Sequence, residues 1–225
     1  MPKVLTDLGA AGGRIAMADQ GVLLSTGRSS AVVAWAQRGI AEVGVASVEG
    51  WTLLSPAGPS RVRFPYDDPV RALAGRPVSM GMRPAIGIFR VGQQTAVTLH
   101  PRGFRREVRW IIWTPGEGIV PPAGLLEADI ADVVASSGLP QSRQAHASAV
   151  LHRVLVDGGG VAAEVVDAVF ETLALPGVEL FSEHGDVRAL PGVRVVAPRE
   201  KYAREFEKVV DELVRERGVE EGTKE

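Results

Sequence analysis

Cysteine is absent from this 225-residue chain, and several chemistries go with it. No disulfide can staple the fold, and thiolate catalysis, iron–sulfur clusters and Cys-ligated zinc are excluded. The absence fits a reducing compartment. No stretch approaches the roughly 18 consecutive apolar residues a membrane helix needs. Residues 1–8 place an acid, Asp7, early and lead into no apolar run, so no signal peptide is expected. The expected location is cytoplasmic, with no membrane partner. Rich Ala, Gly, Val and Arg usage fits a GC-rich bacterial genome.

The strong catalytic signatures are missing too. No Gly-x-Ser-x-Gly elbow, Gly-Lys-Ser/Thr phosphate loop or His-Glu-x-x-His zinc helix occurs. Gly9, Gly12 and Gly13 lack the spacing of a dinucleotide fingerprint. Gly158, Gly159 and Gly160 could offer N–H groups to an anion, but a permissive joint between helices explains them better. Only four histidines are present. His146 and His152 lie six positions apart, about 240° around a helix, so they cannot converge on one metal. His100, at a strand end, is expected to face solvent. Neither a metal nor a cofactor is expected.

What is present is apolar and turn-rich. Hydrophobic residues make up 45% and charged residues 23%, as in a globular chain. The 26 glycines and 15 prolines call for short elements and many turns. Net charge is −2, divided as +7 over residues 1–109 and −9 over 110–225. Such a division suits docking of the halves, self-association or an acidic partner. With no Lys/Arg-rich run, DNA binding is not expected.

The pattern predicts an α+β fold. An antiparallel meander sheet in the N-terminal half packs against helices largely from the C-terminal half. Its parts are a β-rich region over 1–118 and a mainly helical region over 119–225, with a short β hairpin and a long C-terminal helix. A hairpin over 14–26 would turn at Asp19, Gln20 and Gly21. Ser29 or Ser30 would cap a helix over 31–38 that turns Ala34 and Trp35 inward, with a strand as the alternative. Strands over 40–48 and 51–55 flank Glu49-Gly50, and a short helical piece lies near 70–74. Three strands follow, over 85–91, 95–100 and 105–114. In the last, Trp110 and Trp113 point to opposite faces, and the Trp110–Ile111–Ile112–Trp113 run needs cover on both sides.

Helices are then expected from Pro121-Pro122 to Gly138, over 142–156 and over 162–173. Short strands at 178–181 and 193–196 would form a hairpin-like return. Pro198 opens the last helix, whose stripe is Tyr202, Phe206, Val209, Val210, Leu213 and Val214. That stripe packs on its own chain or pairs across a homodimer.

Two clusters could carry function. Arg102, Arg105, Arg106 and Arg109 gather around one turn, beside Trp110 and Trp113. Arginine forks suit carboxylate or phosphate, and indoles can seat an apolar side chain or a base. The second is Glu183, His184 and Asp186, where an acid could orient an imidazole base. The missing catalytic motifs and a mixed sheet-and-helix body of uneven charge favour a non-enzymatic protein-binding or adaptor module, its partner a protein or a second copy; a small phosphorylated ligand is a weaker option. The alternative is a small enzyme or small-molecule-binding domain with a pocket between sheet and helices.

Overall fold

The computed structural model describes residues 18–103 and 107–222; in the last helix the side chains of Leu213, Val214 and residues 216–222 are outside that description. Its strands are β1 (Gln20–Ser25), β2 (Ala41–Val48), β3 (Trp51–Ser60), β4 (Ala85–Val91), β5 (Gln94–His100), β6 (Arg109–Thr114), β7 (Gly118–Val120), β8 (Leu126–Glu127) and β9 (Arg194–Val196). The helices are α1 (Ser29–Ala36), α2 (Pro69–Ala74), α3 (Ile130–Ser136), α4 (Gln141–Val156), α5 (Ala162–Leu173) and α6 (Glu200–Gly222). All nine strands join one sheet in the order β7-β6-β5-β4-β1-β3-β2-β9, with β8 also paired to β6. Every pairing is antiparallel except β6 with β8. The fold is α+β, with most strands in the N-terminal half.

Helices cover both faces of this sheet, which is unusual for antiparallel strands and explains their sequence. Val22, Leu24, Ile86, Ile88, Leu99, Ile111 and Trp113 share one buried cluster with residues of α3, α4 and α5. Leu23, Leu54, Phe89, Ala96, Trp110 and Ile112 share the other with residues of α1 and α2. A strand buried on both sides loses the apolar–polar alternation of a half-wet strand. Thus β4, with the sequence AIGIFRV, is buried at every position.

Two glycines make this packing possible. A Cβ at Gly21 would lie 2.2 Å from Phe89 Cδ1 and 3.1 Å from Val70 Cγ1, and one at Gly87 would lie 2.4 Å from Phe89 Cε2 and 2.3 Å from Thr98 Oγ1. The Phe89 ring therefore occupies side-chain space left open on two neighbouring strands. Gly21 is a strand residue, paired with Phe89, and Gln20 pairs with Arg90. The expected turn at Asp19, Gln20 and Gly21 is not formed, and residues 14–17 lie outside the described residues.

Other expectations needed correction. Helix α1 starts after Arg28 with no side-chain cap, and Ala34 is exposed while Trp35 is buried. The helix expected from Pro121-Pro122 begins only at α3, where Asp129 accepts a hydrogen bond from the Ala131 N–H at 2.7 Å. Residues 178–181 form a 3-10 turn, so no hairpin forms there; β9 pairs with β2 instead. Helix α6 rests on the 61–66 segment. Tyr66 meets Phe206 edge-on at 5.0 Å, and Arg63 pairs with Asp211. Val210 is buried there, but Val209 stays half exposed. Among the described residues no helix is long and apolar enough to cross a membrane.

Candidate functional site

Strand β6 carries the two tryptophans to opposite sides. Trp113 is 0% exposed among Ile111 and residues of α4 and α5, and its indole Nε1 has no hydrogen-bond partner. Trp110 is 3% exposed in the cluster with α1 and α2. The structure does not bring the two rings together.

Trp110 is nevertheless part of a surface feature. Helices α1 and α2 lie over β1 to β4, leaving the β5–β6 corner to shorter segments. There an open groove of about 450 Å³ runs between Gly75 at the end of α2, Val108 just before β6, Trp110 on β6, and Gly124, Leu125 and Leu126. Leu126 is 50% exposed. It is held in place because β8 pairs in parallel with Arg109 and Trp110 and because the Ala128 N–H donates to the Trp110 carbonyl at 2.8 Å. Glu107 adds an acid to the groove, and Glu127 stands beside Leu126.

The arginines are spread around this corner. Arg102 is exposed in the turn after β5, while Arg105 and Arg106 lie outside the described residues. Arg109 points to the other face and pairs with Asp132 of α3 at 2.9 Å. Arg83, unremarked in the sequence, reaches the same turn, its Nη1 donating to the Gly103 carbonyl at 3.4 Å.

Behind the groove lie polar atoms the sequence did not reveal. Thr98 pairs directly with Trp110, and His100 stands two residues further along β5 on the same side. His100 is 1% exposed, which corrects its expected position in solvent; Thr98 is fully buried. His100 Nδ1 and Thr98 Oγ1 lack partners. Burial, with the nearby Arg83 charge adding to it, pushes the His100 pKa down to about 3. The ring is therefore neutral at physiological pH.

A second polar cluster sits at the far end of α2. Asp68 is the N-cap, accepting from the Val70 and Arg71 N–H groups at 2.8 and 3.1 Å, with Pro69 at the first helical position. Arg71 Nε lies 3.1 Å from Asp68 and 3.5 Å from Asp19, whose other oxygen accepts from the Gly92 N–H at 2.8 Å. Asp68 before Pro69 matches the residue preferences of an N-cap and a first helical position. The involvement of Asp19 was not legible, because it depends on strand pairing.

Glu183, His184 and Asp186 are all exposed. Asp186 accepts the Arg188 N–H at 2.9 Å, closing a 3-10 turn over Val187–Ala189. Neighbouring in sequence, the three side chains all face water. Among the described residues no group of three or more His, Cys, Asp and Glu could hold a metal. Comparison of the chain with family models, curated proteins and solved structures found no match.

Proposed function

We propose that the protein is a protein-binding module, and that the groove beside Trp110 receives an apolar side chain from an acidic segment of its partner. The observation that carries this reading is half-exposed Leu126 standing over a groove walled by Trp110, Val108 and Leu125. Exposed apolar surface of this kind, rimmed by polar groups, marks contact sites. Arg102, exposed in the turn after β5, adds positive charge, within an N-terminal half of net charge +7 over residues 1–109. Fork-shaped guanidinium groups suit a partner's carboxylates. Both sheet edges are strands of only two or three residues. Such edges are poor templates for strand addition, which favours capture through side chains. The cysteine-free sequence supports a cytoplasmic setting.

A photo-crosslinking residue at Leu126, with Val156 on α4 as an equally exposed control, tests this in cells. The expected result is a discrete protein adduct at 126 alone, lost when Trp110 is replaced by Ala in a variant shown to remain folded. Equal labelling at both positions would overturn the reading, and an adduct of twice the chain mass would make the partner a second copy. The groove volume also suits a small ligand. That reading predicts no protein adduct and a melting temperature raised by a small-molecule fraction.

A further inference from the structure

Helix α1 ends among arginines. Its Trp35 carbonyl accepts two hydrogen bonds, from the Arg38 N–H at 3.0 Å and from Arg76 Nη2 at 2.6 Å. The Ala36 carbonyl accepts the Gly39 N–H at 2.9 Å, and the Gln37 carbonyl accepts the Arg199 N–H at 2.8 Å. These three carbonyls are thus engaged, which blunts the negative end of the helix. The Arg76 guanidinium carbon lies 3.7 Å from the centroid of the Trp35 ring. That ring is itself fixed, because its Nε1 donates to the Pro77 carbonyl at 2.9 Å. Gly39 leaves room for the fork, since a Cβ there would lie 2.7 Å from Arg76 Nη1.

The charge of this turn is unanswered. Arg61, Arg63, Arg71, Arg109 and Arg204 each pair with an acid. Among the described residues Arg38, Arg76 and Arg199 form no ion pair. Burial, with the Arg38 charge adding to it, pulls the Arg76 pKa down to about 10, and no carboxylate opposes the pull. The fork nevertheless stays protonated at neutral pH. We infer that the end of α1 is an oxyanion site, at which the Arg76 and Arg38 guanidinium groups, with Arg199 alongside, hold the phosphate group of a small ligand. A phosphate monoester carries about −1.5 to −2 charges at pH 7 and answers more of this charge than one carboxylate can. Stacking on Trp35 holds the Arg76 fork in place before an anion arrives, so little side-chain freedom is lost on binding. The site is separate from the groove. Helix α1 packs on β2, four strands from β5 and roughly 19 Å across the sheet.

The test is a titration of the whole chain with inorganic phosphate at neutral pH and constant ionic strength. It is followed by the Trp35 indole N–H and the Gly39 amide in NMR. Both signals should shift together and saturate, whereas sodium chloride at the same ionic strength should leave them in place. Arg38→Gln alters an exposed side chain with no hydrogen bond or ion pair of its own. It should weaken phosphate binding about tenfold, the loss of one charge-assisted hydrogen bond. Arg76→Lys keeps the charge but loses the fork, and should weaken binding to a similar degree. Arg153→Gln, on α4 across the sheet from α1, should bind phosphate as the unaltered chain does. Shifts that fail to saturate, equal shifts with chloride, or equal weakening in Arg153→Gln and Arg38→Gln would overturn the inference. So would acetate binding as tightly as phosphate, since the arginines would then be reading a single negative charge.

Discussion

At the scale of single residues, His100 shows what burial on both sheet faces does to a titrating side chain. Strand alternation places it beside Thr98, but alternation says only which side a residue takes, not whether that side is wet. Here that side joins a buried cluster, since Ala85 across from His100 and Trp110 across from Thr98 both belong to it. Burial pushes its pKa from the ordinary 6.5 down to about 3 in the folded chain. Between these values the unfolded chain binds more protons, so the stability linked to His100 is complete above the unfolded pKa. It is lost as pH falls toward the folded one, by at most about 1.4 kcal/mol per pH unit. His100→Leu should therefore flatten the acid limb of stability against pH. Urea midpoints measured between about pH 7 and about pH 4 will show it, and an unchanged slope would exclude His100 as its source. The opposite faces of Trp110 and Trp113 were legible, since a period of two needs no tertiary knowledge. The wet or dry state of each face was not.

At the scale of elements, α5 was readable end to end because its apolar positions Val165, Val166, Val169, Phe170 and Leu173 all repeat at helical spacing and are all buried. Its end carries a testable flaw. Ala174 sits at φ 50, in the left-handed region, where a β-carbon costs about 1 kcal/mol and glycine costs little. Ala174→Gly should raise stability by about 1 kcal/mol, and the melting temperature by about 2–4 °C for a chain of this size. A lower melting temperature would mean the Ala174 methyl packs more favourably than its backbone is strained. Misread elements share a cause, which is a partner distant in sequence. Leu125 and Leu126 fit a helical stripe after Pro121-Pro122, but pairing of β8 with β6 claims that segment, and the true cap, Asp129, lies beyond it. Gln20 and Gly21 resemble a turn until Phe89 is placed across from Gly21. The Leu126 wall of the groove was hidden for the same reason, since nothing local distinguishes a helix start from a strand added in parallel.

Across the whole molecule, the N-terminal sheet and the C-terminal helices contribute to one apolar cluster. Val22, Ile88, Leu99 and Trp113 meet Leu151, Val166 and Phe170 there, and the Thr95 hydroxyl donates to the Ala162 carbonyl at 3.2 Å. The mean packing of such an interior leaves little room for either side to relax alone. A fragment ending at residue 118 would expose one entire face of the sheet, including fully buried Trp113, to water. A fragment beginning at 119 would hold α4 and α5 with nothing beneath them. We therefore expect neither 1–118 nor 119–225 to unfold cooperatively by itself, whereas mixing the two should restore near-ultraviolet circular dichroism from the buried tryptophans. Their net charges of +6 over residues 1–118 and −8 over 119–225 would speed that association at low salt and slow it at high salt. A sharp, two-state urea transition from 1–118 alone would show instead that the face bearing α1 and α2 is a sufficient core, and that the C-terminal helices were added to a sheet already able to stand without them.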